Sequence, residues 1–163
     1  MIKFAKKNNS VIIPTKDEEN AGYDIYANFE EDFVKIPPHI TALISTGLYS
    51  SFDNDHYIQF QNRGSNGSRG LTQSCGVIDS SYRGEWFVAM TNTNDETWYI
   101  CKQEFIENNK ILKQFIKIYP YEKAICQFVI LPVPKMKIEE VTLDEIKNDQ
   151  SNRGEGNLGA SGK

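Results

Sequence analysis

The residues Gly76-Val77-Ile78-Asp79-Ser80-Ser81-Tyr82-Arg83-Gly84-Glu85 run directly into Trp86-Phe87-Val88-Ala89-Met90-Thr91. An apolar pair meets a carboxylate and two serines, and after a glycine the chain returns to an uninterrupted apolar run. Polar turn formers between short β-branched and aromatic runs predict a hairpin with Asp79 at its crest. Outward from this point the pattern recurs. Period-2 runs predict strands over 2–5, 11–14, 23–27, 41–45, 57–61, 86–91, 97–101, 115–119, 125–131 and 136–141, separated by Asn, Asp, Gly and Pro. So many short strands predict an all-β barrel or sandwich. Residues 103–117 fit two patterns, because Phe105, Ile106, Ile111 and Leu112 suit either one helix face or the flanks of a turn at Asn108-Asn109. A β-hairpin is the expectation there.

The 163 residues carry 18 Lys and Arg against 22 Asp and Glu, a net charge of −4. One domain is expected at this length, a β domain over 1–146 with 92–119 as a hairpin inserted in it. After Ile146 the composition turns to Asn, Asp, Ser and Gly, with Leu158 as the one sizeable apolar side chain, so 147–163 is expected to be a flexible C-terminal arm. No apolar stretch approaches the ~20 residues that span a bilayer. The first residues also lack the apolar core of a secretory signal. The expectation is a cytoplasmic protein with reduced Cys75, Cys101 and Cys126 and no membrane partner. The acidic balance argues against direct nucleic-acid binding, which relies on a basic face. Two histidines outside any ligand pattern exclude a protein-built zinc cage, whereas magnesium carried in with a phosphate ligand stays open.

Four segments suit chemistry: 21–27, 63–71, 76–85 and 153–162. At the 76–85 turn, backbone donors and acceptors can read a planar polar ring while Asp79 takes a proton from water; the alternative is an ordinary turn that Asp79 serves structurally. Arg63-Gly64-Ser65-Asn66-Gly67-Ser68-Arg69-Gly70-Leu71 combines close-approaching backbone, hydroxyls and guanidinium forks, a phosphate-type loop or else a solvated surface loop. The end of the chain, Gly154-Glu155-Gly156-Asn157-Leu158-Gly159, spells a dinucleotide fingerprint, but four residues remain beyond it and no helix can follow. What survives is Arg153 followed by an arm able to fold over an anion.

In this order, and together with Ala21-Gly22-Tyr23-Asp24-Ile25-Tyr26-Ala27, these segments resemble the ordered motifs of the homotrimeric dUTPase family from Ala21 to Gly162. The resemblance implies a jelly-roll-like distorted β-barrel and a homotrimer with active sites built from several subunits. It implies hydrolysis of dUTP to dUMP and pyrophosphate with Mg2+. By the same correspondence Asp79 is the general base and Tyr82 packs on the deoxyribose. Backbone groups of Gly76, Val77 and Ile78 read uracil. Arg63, Gly64 and Ser65 hold phosphate, with Ser68 as the competing hydroxyl. Arg153 takes the γ-phosphate, Leu158 covers the base, and Gly156, Gly159 and Ser161 serve the phosphates. Gln127 and Asp24 orient waters on the metal.

The chain departs from the family pattern at four places. Gly64 separates Arg63 from Ser65, and Ser81 stands where a second Asp is usual. Ala124 and Lys123 stand where Arg and Asp are usual, and Leu158 replaces an aromatic. Two rival readings go with these. One is a deoxycytidine triphosphate deaminase of the same fold, disfavoured by the Asp79–Tyr82 turn. The other is a nucleotide-sensing regulatory protein that grips a protein partner through 92–119.

Overall fold

The computed structural model describes residues 1–74, 76–109, 116–152 and 154–156. The chain forms two compact units, Met1–Val133 and Pro134–Lys163. The first contains β1 (Lys3–Lys6), β2 (Tyr23–Ile25), β3 (Phe33–Ile36), β4 (Thr41–Ser45), β5 (Leu48–Ser51) and β6 (His56–Gln61). A single helical turn, α1 (Gly64–Gly67), follows, and then β7 (Leu71–Gln73), β8 (Val77–Ile78), β9 (Phe87–Asn92) and β10 (Trp98–Cys101). The helix α2 (Gln103–Asn108) leads to β11 (Lys117–Pro120) and β12 (Cys126–Pro132). The strands pair as β1-β5, β11-β10-β3, β2-β12-β6-β8 and β4-β9-β7, an all-β, jelly-roll-like arrangement whose barrel is not closed.

The sheets meet on one aromatic centre. Trp86 is fully buried, with ring centroids of Phe4, Phe128 and Phe60 at 5.3, 5.4 and 5.7 Å. Edge and tilted geometries of this kind add ~0.5–1.5 kcal/mol per pair beyond buried area. Its indole nitrogen donates to Ser50 Oγ at 3.1 Å, which lets a serine face the core from β5. Around it β12 alternates buried Cys126 and Phe128 with half-exposed Gln127, so one face of the strand packs and the other serves a surface.

Several expected elements differ. Of the hairpin expected over 103–117, residues 103–108 form α2 instead, residues 110–115 lie outside the described residues, and β10 pairs with β11 in parallel, from Trp98↔Lys117 to Cys101↔Pro120. A parallel neighbour cannot follow a tight turn; it needs a crossover, and α2 begins it. Ile106 is buried, and Phe105 meets Phe33 at 5.1 Å. Residues 11–14 form no strand, because Val11 and Pro14 turn inward while Ile12 and Ile13 both face out, which breaks the period of 2. Residues 136–141 form none either, and Met136 and Ile138 are 86% and 99% exposed. Three short strands, β3, β5 and β7, lie outside the expected set, while β8 is the apolar strand that leads to Asp79.

The second unit contains α3 (Leu143–Asn148), opened by a capping box in which Thr142 Oγ1 accepts from Glu145 N at 3.2 Å and Glu145 returns a bond to Thr142 N at 2.8 Å. That helix runs across 146/147, where the composition change suggested the arm begins. Among the described residues no helix is long and apolar enough to cross a membrane.

Candidate active site

Where β6 ends, Arg63 is extended and the chain then coils through α1, with Asn66 N and Gly67 N donating to Arg63 O at 2.9 and 3.0 Å. Asn66 pins this turn from below. It is 1% exposed, its amide nitrogen donates to Ile125 O at 2.7 Å, and its oxygen accepts from the Tyr119 hydroxyl at 2.8 Å. With Asn66 held inside, Gly64 and Ser65 are left on the outer side of the loop, both exposed.

The Arg63 fork spans two partners. Nε lies 3.1 Å from Asp24 Oδ1, and Nη1 donates to Ala124 O at 2.9 Å. Asp24 comes from β2, and its cross-strand partner on β12 is Gln127, itself paired with Gln61 on β6. Sheet register therefore sets Asp24, Gln127 and the end of β6 in one row, two residues before Arg63. The Gln127 amide nitrogen donates to Asn62 O at 3.0 Å, and Gly22 lies against the same amide. A Cβ at Gly22 would sit 2.5 Å from Gln127 Oε1, so a side chain there would push the end of the Gln127 amide aside. The result is a cleft of about 800 Å3 whose lining includes Lys16, Asp24, Arg63, Gly64, Ser65 and Gln127. Ser68 is not among its lining residues; its hydroxyl donates to Ser65 O at 3.4 Å.

The 76–85 segment forms a second group. β8 pairs with β6 through Ile58↔Ile78 and Gln59↔Val77, and Phe60 N donates to Gly76 O at 2.7 Å. The turn is present, with Tyr82 N donating to Asp79 O at 3.0 Å. It is not a hairpin, however: the strand after it, β9, lies between β4 and β7, so the turn passes the chain from one sheet to another. Asp79 and Tyr82 are both exposed. The Tyr82 ring lies over Gly84, where a Cβ would overlap its hydroxyl, and that hydroxyl donates to Glu85 O at 2.9 Å. Glu85 anchors the end of the turn, its carboxylate accepting from Ser45 Oγ, from Gly47 N at 3.0 Å and from Lys7 Nζ at 3.3 Å. Burial pushes this carboxyl up, but these bonds outweigh it and hold it below its ordinary range.

Of the residues the sequence nominates, Asp24, Arg63, Gly64, Ser65 and Gln127 thus share one cleft. Gly76, Val77, Ile78, Asp79 and Tyr82 sit on β8 and its turn, and neither Asp79 nor Tyr82 lines that cleft. Gly156 belongs to the second unit, while Arg153, Leu158, Gly159 and Ser161 lie outside the described residues. Sequence reasoning missed Gly22, Asn66, Glu85 and Tyr119. Asn66 in a Gly/Ser loop reads as a turn former, and no local signal links it to a tyrosine 53 positions away.

Residues 8–106 match the family model described as dUTPase. The chain is 32% identical over 166 residues to the deoxyuridine 5'-triphosphate nucleotidohydrolase of Nautilia profundicola, covering 99% of each, and 29% identical over 153 residues to that of Candida albicans, covering 93% of this chain and 81% of the relative. Among solved structures, a Staphylococcus bacteriophage 80alpha dUTPase with dUpNHpp matches with a TM-score of 0.76 at 19% identity, covering 100% of this chain and 99% of that one. At that identity it is a likeness of fold. Fold and matches define an enzyme of the all-β nucleotidohydrolase class. Within that class, the chain belongs to the dUTPase family.

Proposed function

We propose that the chain is a dUTP diphosphatase that hydrolyses dUTP to dUMP and pyrophosphate with Mg2+, limiting uracil incorporation into DNA and supplying dUMP for dTMP synthesis. The observation that carries this reading is the cleft on which Arg63, Ser65, Asp24 and Gln127 converge in a member of this family. In it, Arg63 presents charged donors and Ser65 a hydroxyl to phosphate oxygens. Asp24 keeps the fork oriented before substrate arrives. Asp79 and Tyr82 act in the cleft of a neighbouring copy within a homotrimer, which accounts for their place away from their own.

Asp79 takes a proton from water as the water oxygen attacks the α-phosphorus. The bond from that phosphorus to the α,β-bridging oxygen breaks, and pyrophosphate leaves with the electron pair. β8 stands at the edge of its sheet, so the row of backbone donors and acceptors facing away from β6 is available to uracil. A wrong base leaves such groups unpaired, a discrimination that reaches about 10^4 or more.

The donors fit a metal that arrives with the nucleotide. Among the described residues no group of three or more His, Cys, Asp or Glu converges, so they form no closed cage. Asp24 and the Gln127 amide oxygen would hold the waters of Mg2+, an ion that keeps several waters and binds largely through substrate phosphates. When bound, the ion supplies neutralisation of the charge growing on the pyrophosphate.

The test is pyrophosphate release from dUTP with magnesium, beside dTTP, dCTP and UTP, on the intact chain and on Asp79→Asn. Release selective for dUTP and reduced at least about 100-fold in Asp79→Asn is expected. Undiminished release in that variant, or equal release from all four nucleotides, would refute the assignment.

A further inference from the structure

Resting on the dUTP reading, we propose that Tyr119 is a positioning residue for the phosphate end of the cleft. Its hydroxyl carries one hydrogen and faces two acceptors, Asn66 Oδ1 at 2.8 Å and Ala124 O at 2.7 Å. Asn66 cannot turn away from it, because its amide nitrogen is committed to Ile125 O at 2.7 Å. Each acceptor also serves a cleft residue. Ala124 O takes the Arg63 Nη1 bond at 2.9 Å, and Asn66 Oδ1 takes the longer Ser65 hydroxyl contact at 3.4 Å. The two side chains that meet phosphate in this reading therefore end on two acceptors that share the single hydrogen of one buried hydroxyl.

Burial makes that arrangement matter. Tyr119, Asn66 and Ala124 are 2%, 1% and 3% exposed, so water cannot replace the hydroxyl if it is removed. Relaxation then comes from the groups that can move, namely the α1 turn that carries Ser65 and the guanidinium of Arg63. Tyr119 reaches this place on β11, parallel to β10, where Ile100 is its register partner. The segment that looked like an inserted hairpin in the sequence thus delivers a group to the floor of the site.

The experiment compares wild type, Tyr119→Phe and Ile100→Val, the last removing one methylene from fully buried Ile100 beside it as a control for a generic loss of packing. Steady-state kinetics with dUTP are read together with equilibrium binding of a non-hydrolysable dUTP analogue and of deoxyuridine, which has no phosphate. In Tyr119→Phe the KM for dUTP and the dissociation constant of the analogue are expected to rise about tenfold, with kcat changed less than about threefold and deoxyuridine binding unchanged. Ile100→Val is expected to leave all four unchanged. The proposal is overturned if Tyr119→Phe binds the analogue as wild type does, if analogue and deoxyuridine weaken equally, or if Ile100→Val gives the same shift. A wild type that binds the analogue but releases no pyrophosphate overturns the hydrolase reading alone, since the binding arm still reports on Tyr119. A wild type that does not bind the analogue overturns both.

Discussion

Replacing Glu85 by Gln removes one charge at the base of the Asp79 turn while keeping the side chain's shape. The carboxylate side chain is 9% exposed and uses Oε1 for both the Ser45 hydroxyl and Gly47 N, and Oε2 for Lys7. A glutamine that places its oxygen at the Oε1 position keeps the first two bonds but as neutral ones. A hydrogen bond to a charged group contributes ~1.5–3 kcal/mol and a neutral one ~0.5–1.5, so the two conversions cost about 2 kcal/mol together. The Lys7 ammonium is 55% exposed and turns to water, adding at most ~0.5 kcal/mol. At ~2–4 °C per kcal/mol for a chain of this size, Tm falls about 4–8 °C near pH 7. The pH dependence separates charge from shape. The folded-state pKa of Glu85 lies below its ordinary 4.5, so its contribution is fully present above that value and is lost as pH falls through the folded pKa. Thermal melts followed by tryptophan fluorescence from pH 7 to pH 3 are therefore expected to show a gap between wild type and E85Q that is full at neutrality and closes in acid. A gap that persists unchanged to pH 3, or no gap at pH 7, would refute the reasoning.

Gly22→Ala drives a methyl to 2.5 Å from Gln127 Oε1 and displaces that amide from Asn62 O. A stability loss no larger than that of one neutral hydrogen bond, ~0.5–1.5 kcal/mol, is expected, with a several-fold rise in the Mg2+ concentration that supports half-maximal pyrophosphate release, checked by melts and a metal titration. Burial pushes the fully enclosed Cys101 thiol up to about 11. At pH 8 about a thousandth of it is thiolate, so mass spectrometry of labelled peptides is expected to find Cys101 modified by a thiol reagent only after denaturation.

The strands legible in the sequence are those whose own residues decide their faces. Thr41–Ser45 has the same bounds in the expectation and in the structure, and β6 and β12 differ from it by a residue or two. The missed strands are decided by partners instead. In β5 the inward positions are Leu48 and Ser50, and a serine is buried there only because Trp86 Nε1, 36 positions on, donates to it. β7 is three residues long and exists through its ladder to β9. The choice at 103–117 turned on whether β10 meets its successor in antiparallel or parallel sense, a non-local fact that local spacing cannot carry.

The site separates in the same way into residue types and the geometry that orients them. The family resemblance leads one to expect an arginine at 124, and Ala124 then reads as a missing charge. In the structure it is the backbone oxygen of Ala124 that accepts from both Arg63 and Tyr119, a role open to any side chain at that position. The demand for a particular residue moves to Asn66 and Tyr119, whose amide and hydroxyl have no apolar equivalent in a closed interior. A motif read by residue type therefore places the weakness at 124. The hydrogen bonds place it at 66 and 119, where a single lost hydroxyl leaves two buried acceptors that water cannot reach and whose remaining donors are Arg63 and Ser65 themselves.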